Sequence, residues 1–224
     1  MNWLVPIAVA LCLGMAGAKA SEVSGDITLD ARMVKKSLPP AVYDLRGIAV
    51  REKPSAVTNP GGLGRVAVWL EGDSSVPIPV TATMQQHERH FEPDLLMIPA
   101  GSKVLFPNLD PIFHNIFSLS RTQQFDLGYY AEGKSREVVF SRQGIVQVYC
   151  HIHPEMYGVI VVTSSRWTAR PAPDGTFSWA NVPPGKYRVM VWQRSAGLIH
   201  KTISVPAVGR VHVKFELPKD DSDR

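Results

Sequence analysis

Between its glycines and prolines this chain repeats one pattern, a short segment in which apolar and polar residues alternate. "GRVAVWLEG", "GSKVLFPN", "REVVFS", "GIVQVYC", "GVIVVTS", "GKYRVMVWQ" and "RVHVKFELP" all follow it. A period of two places every second side chain on one face of an extended strand, and no stretch of helical period competes with it. With 17 Gly and 18 Pro supplying frequent turns, the pattern restricts the chain to an all-β fold.

The amino-terminal stretch breaks the pattern. "MNWLVPIAVALCLGMAGAKA" is an apolar run ending in Ala18-Lys19-Ala20, the small-x-small arrangement of a secretory cleavage site. It reads as a signal peptide, residues 1–20, which places the mature protein in the periplasm or outside the cell. No later segment is apolar for long enough to span a bilayer, so no membrane span is expected after cleavage. The formal net charge of +4 is mild and spread along the chain, which gives no basic face for nucleic acid.

Cleavage also removes Cys12 and leaves Cys150 as the mature chain's only cysteine. In an oxidising compartment a thiol without an internal partner points to an intermolecular bridge, a reactive group or a metal-bound thiolate. Its neighbours decide among these. "YCHIHPEM", residues 149–156, sets His153 three positions after Cys150 and Met156 three after that, so one tight loop can turn thiolate, imidazole and thioether toward a point.

A fourth ligand must come from elsewhere, and His114 in "FPNLDPIFHNIFS" is the candidate, because it follows another strand and lies among apolar residues. Two His, one Cys and a weak axial Met form the donor set of a mononuclear blue, or type 1, copper site. Soft sulfur donors stabilise Cu(I), imidazoles hold Cu(II), and an imposed geometry limits rearrangement between the two. Zinc has no use for the methionine. Haem attachment fails because Gln147 stands where the first cysteine of a C-x-x-C-H motif would be. His151 would face the opposite side if the strand continued, and His87 and His90 in "QQHERHF" read as solvated polar residues.

These residues resemble the cupredoxins, the plastocyanin, pseudoazurin and amicyanin group. The likeness runs from about residue 84 to residue 162 and includes "FEPDLLMIPAGSKVLFPNLD", "FHN" and "GIVQVYCHIHPEMYGVIVV". The Cys-x-x-His-x-x-Met spacing is similar to the short loop of amicyanin. The resemblance implies an eight-stranded Greek-key sandwich with copper at one end, ligated by His114, Cys150, His153 and Met156. It also implies that Asn115 ties the two ligand loops together.

A second resemblance lies further on. "DGTFSWANVPPGKYRVMVW" is similar to the carboxypeptidase-regulatory-like, or prealbumin-like, β-sandwich. The expected organisation is therefore a β segment over residues 21–80, a cupredoxin domain over 81–164, a carboxypeptidase-regulatory-like segment over 165–218 and a disordered tail over 219–224. About fifty residues make a thin sandwich, so strands near "GDITLDAR" and "GRVAVWLEG" can complete the smaller one, with the cupredoxin segment inserted between its early and late strands. Three units in a row is the alternative.

The expected function is that of a secreted single-electron carrier and not an enzyme. By resemblance alone, its partner would be a redox protein such as a c-type cytochrome or an amine dehydrogenase. A periplasmic copper-binding protein for delivery or resistance would use the same ligands. A trinuclear copper oxidase centre needs more than the 7 histidines of this chain, and a dinuclear copper site needs a second cysteine. A Cys/His nucleophile is disfavoured, because Met156 and the local spacing fit metal geometry better.

Overall fold

The computed structural model describes residues 21–30, 63–72 and 77–219, and every regular element among them is a strand. The leader read over residues 1–20, residues 31–62 and 73–76 of the lead-in and residues 220–224 of the tail lie outside the described residues. The strands are β1 (Ser21–Asp30), β2 (Ala67–Glu71), β3 (Thr81–Thr83), β4 (Gln85–His87), β5 (His90–Glu92) and β6 (Leu95–Pro99). They continue with β7 (Ser102–Pro107), β8 (His114–Ser120), β9 (Gln123–Tyr130), β10 (Ser135–Phe140), β11 (Gly144–Tyr149) and β12 (Tyr157–Thr163). The last are β13 (Thr168–Ala169), β14 (Thr176–Val182), β15 (Gly185–Gln193), β16 (Gly197–Val205) and β17 (Arg210–Pro218).

Among the described residues there are five sheets, a two-stranded β4-β5 hairpin and four larger ones that enclose three cores. A three-stranded sheet, β10-β7-β3, faces a five-stranded one, β6-β12-β11-β8-β9, and these eight strands form the larger sandwich. Phe106, Phe140, Ile116, Val146, Val148 and Ile160 fill it. The smaller sandwich sets β14-β1-β17 against β13-β2-β15-β16. Strands from both sides of the larger sandwich build it: β1 lies between β14 and β17, and β2 pairs with β13 and β15. Val23, Ile27, Val68, Leu70, Phe177, Trp179 and Phe215 make up its core.

Strand parity explains the third core. On β12, Ile160 and Val162 point into the larger sandwich, so Tyr157, Val159 and Val161 must point out of it. On β2, Val68 and Leu70 point into the smaller sandwich while Ala67 and Trp69 point out. The two outward faces meet each other, with Met190 and Trp192 of β15 and Leu95 of β6. β12 is therefore buried at every position, which is why "VIVV" runs without polar interruption where other strands alternate. Asp94 joins the sandwiches at the rim, accepting from Arg65 Nε at 2.7 Å and from an Arg170 guanidinium nitrogen at 3.2 Å.

Among the described residues no helix is long and apolar enough to cross a membrane.

Candidate metal centre

One end of the larger sandwich gathers the soft donors. β11 ends at Tyr149, which puts Cys150 one residue beyond the strand, and β12 resumes at Tyr157, one residue after Met156. Tyr149 and Tyr157 are paired across the two strands, so the loop that they close holds every residue from Cys150 to Met156. A hydrogen bond from the Met156 amide to His153 O, at 3.0 Å, tightens it into a turn. His114 opens β8 and is wholly buried, as is Met156, while Cys150 is 5% exposed. His153 is only partly buried and carries the centre toward the surface.

The donor atoms converge. His114 Nδ1 lies 2.9 Å from His153 Nδ1, and Cys150 Sγ lies 3.9 Å and 3.7 Å from the two nitrogens. With those three separations, the point in their plane equidistant from all of them is about 2.1 Å from each, inside the roughly 2.0–2.3 Å range of imidazole and thiolate bonds to a first-row ion. Two imidazoles, a thiolate and the buried Met156 beside them fit a single type 1 copper ion.

Surrounding hydrogen bonds fix the ligands. Asp110 Oδ2 is 2.7 Å from His114 Nε2, and its two carboxylate oxygens also accept from the amides of Glu88 (2.6 Å) and Arg89 (2.9 Å). Burial works to raise the Asp110 pKa, but the Arg89 amide, His114 and the Glu88 amide outweigh it and hold the carboxyl below its ordinary value. The Asp110 amide donates to Asn108 Oδ1, and Asn108 Nδ2 donates to Ile112 O and Tyr130 O, which locks the segment leading to His114. Asn115 Oδ1 accepts from the His151 amide at 2.9 Å, joining the two ligand segments. Burial, and then the neighbouring His114, lower the His153 pKa, which favours the neutral imidazole that a metal requires.

The remaining histidines of this region stand apart from the cluster. His151 is exposed and packs on the Phe117 ring, with centroids 4.0 Å apart. His87 and His90 face each other across the β4–β5 hairpin, where His90 Nδ1 contacts Glu88 O at 2.7 Å and His87 Nδ1 lies 3.7 Å from Glu92. Sequence reasoning missed Asp110. Its place four residues before His114 was visible, but the turn amides that hold it come from a hairpin some twenty residues away, which no local spacing reveals.

Arg194 was missed as well. It belongs to the smaller sandwich, yet its guanidinium stacks 4.2 Å from the ring centre of Tyr157, at the foot of the ligand loop.

No protein-family model matches the chain, and no curated protein sequence does either. Among solved structures, a copper-containing nitrite reductase, NirK, from Thermus scotoductus SA-01 is similar at 28% identity over 39% of this chain, with a TM-score of 0.35. The match spans 23% of the length of that reductase. A purple cupredoxin from Nitrosopumilus maritimus is similar at 28% identity, over 37% of this chain and 99% of that one, with a TM-score of 0.34. A reduced variant of amicyanin is similar at 18% identity, over 42% of this chain and 87% of that one, with a TM-score of 0.35. The larger sandwich is all-β, and at one end it brings His114, Cys150 and His153 together beside the buried Met156.

Proposed function

We propose that this protein is an exported electron carrier whose copper centre passes single electrons between redox partners. The observation that carries the reading is the convergence of the three donors at one end of the larger sandwich, His114 Nδ1 lying 2.9 Å from His153 Nδ1 and Cys150 Sγ 3.9 Å and 3.7 Å from the two nitrogens. Bound copper supplies a one-electron couple, and donors already in place limit the rearrangement that accompanies each change of charge. Cys150 and Met156 are held in the dry interior, which excludes water from the metal. His153 connects that interior to the surface, where Phe113 and Ile152 are 60% and 49% exposed. Apolar residues around a ligand edge suit brief contact with another redox protein, such as a c-type cytochrome or an amine dehydrogenase. Export rests on the Ala18-Lys19-Ala20 pattern, and cleavage after Ala20 would make Ser21, the first residue of β1, the new terminus.

Copper delivery would use the same four residues, so the test must separate holding an electron from handing over a metal. In a carrier the Met156 thioether is a weak axial ligand that tunes potential; in a donor it is a principal Cu(I) ligand. Met156→Leu is expected to keep copper, raise the midpoint potential and leave electron self-exchange fast. Loss of Cu(I) affinity in a chelator competition, together with slow self-exchange in the wild type, would replace the carrier by the delivery protein.

A further inference from the structure

The β4–β5 hairpin turns at Glu88 and Arg89, and both adopt left-handed backbone angles, with φ of 50° and 59°. Neither is glycine, so each conformation costs on the order of 1 kcal/mol and needs something to hold it. What holds it is Asp110. The turn directs both of its amides at that carboxylate, one to each oxygen.

The same carboxylate reaches the metal centre. Asp110 Oδ2 lies 2.7 Å from His114 Nε2, inside a segment where Asp110 is 5% exposed and His114 is fully buried. An ionised carboxylate can only accept, so the imidazole must carry its proton on Nε2. In the neutral imidazole the other nitrogen, Nδ1, then carries the lone pair, and it is this atom that faces Cys150 and His153. A buried negative charge on the far side of a ligand also favours the more highly charged state of the metal.

We propose that Asp110, clamped by the amides of the Glu88–Arg89 turn, is the positioning residue that fixes His114 in its metal-binding tautomer and lowers the reduction potential of the copper. The hairpin thus acts on the metal through its backbone, not through its side chains. This inference rests on the copper reading for its effect on potential, but the tautomer belongs to the protein without metal.

Two measurements test it. Nitrogen-15 NMR of the metal-free wild type is expected to show His114 protonated at Nε2 alone, and a proton at Nδ1 would overturn the clamp whether or not the protein binds copper. In the copper-loaded protein, Asp110→Asn is expected to remain blue, to shift to a higher midpoint potential and to bind Cu(II) about ten- to a hundredfold more weakly. An unchanged potential would overturn the electrostatic half of the proposal. Replacing both turn residues, Glu88→Gly and Arg89→Gly, keeps both amides and should leave the potential where it is. A shift as large as that of Asp110→Asn would assign the effect to the turn side chains and overturn the backbone clamp. If the wild type takes up copper without forming a blue centre, the type 1 reading fails on its own, and the tautomer still decides the clamp.

Discussion

Asn115 reaches across the metal end of the larger sandwich and accepts, on Oδ1, the backbone N–H of His151 at 2.9 Å. Asn115 directly follows one ligand and His151 directly follows another, so this hydrogen bond adds to the pairing of β8 with β11 in holding the two ligand segments together. The other end of the amide donates to Asp126 Oδ1 at 2.9 Å, which fixes its orientation. Asn115 is 1% exposed, and shortening it would strand the His151 amide. Asn115→Ala should therefore cost about 1–3 kcal/mol of stability in the metal-free protein and speed copper release. Urea unfolding and the rate of copper transfer to a chelator measure the two effects.

The colour of the centre depends on one atom. Cys150→Ser exchanges a soft thiolate for a neutral hydroxyl, so the intense thiolate-to-copper absorption should vanish even if some Cu(II) remains bound. His114→Ala should open the site as well. His87→Ala and His90→Ala, which alter only the outer hairpin contacts with Glu92 and Glu88, should leave the visible and EPR spectra nearly unchanged. A visible titration with Cu(II) across the four variants checks this, and copper loss on changing His87 would reassign the ligands.

What could be read from the sequence differs between the loop and the layers. Cys150, His153 and Met156 are close in sequence, so their spacing alone brings their donors to one place. His114 stood out by its residue type, its place after a strand and its apolar surroundings. The all-β class followed from period-two alternation, which is local. The stacking of the two sandwiches was not legible, because "VIVV" in β12 shows that both faces are buried without saying what buries them. Trp69, Met190 and Trp192 cover one of those faces from strands on either side of the larger sandwich in sequence, and their pairing is set by global topology. Asp110 was hidden for a related reason, since its partners at Glu88 and Arg89 are brought to it by a hairpin and not by sequence proximity.

The shared middle core makes the sandwiches depend on each other. Trp192 is 4% exposed between them, and truncating a buried tryptophan costs about 3–5 kcal/mol. Wild-type protein should unfold in one transition when followed by fluorescence and by copper absorbance together. Trp192→Ala should lower the midpoint and separate the two signals. Coincident curves in the variant would mean that the rim contacts of Asp94 suffice to couple the halves.

Acid should act on the smaller sandwich through Asp174. Its Oδ1 accepts from the Thr176 amide at 3.0 Å and from the Thr176 hydroxyl at 2.8 Å, and these bonds, the amide's first, hold its pKa below the ordinary value. A depressed carboxyl stabilises the fold above its unfolded pKa of about 3.9, and that contribution is lost as pH falls through the lower folded value. Asp174→Asn can accept the same hydrogen bonds but has no charge to lose. The stability gap between wild type and Asp174→Asn should therefore be widest near neutral pH and narrow as the pH falls below the ordinary carboxyl range, as read from urea midpoints across an acid pH series.

Gly175, the next residue, offers the sharpest steric test. The chain turns there with φ of +87°, a region that residues with a side chain rarely enter, and Ile27 donates its amide to Gly175 O at 2.9 Å. A Cβ on Gly175 would stand 2.1 Å from Ile27 O, a backbone atom in the middle of β1 that cannot swing aside. Relief would require β1 to move away from β14, yet β1 is held on its other edge by nine residues of parallel pairing with β17. Gly175→Ala should then cost well over the roughly 1–2 kcal/mol of the backbone conformation alone. The loss should appear first in the smaller sandwich, as faster amide exchange along β1 and β14, while the blue absorption of the copper-loaded protein persists at low denaturant. Unchanged exchange along β1 would show that the turn can shift without disturbing the strand it abuts.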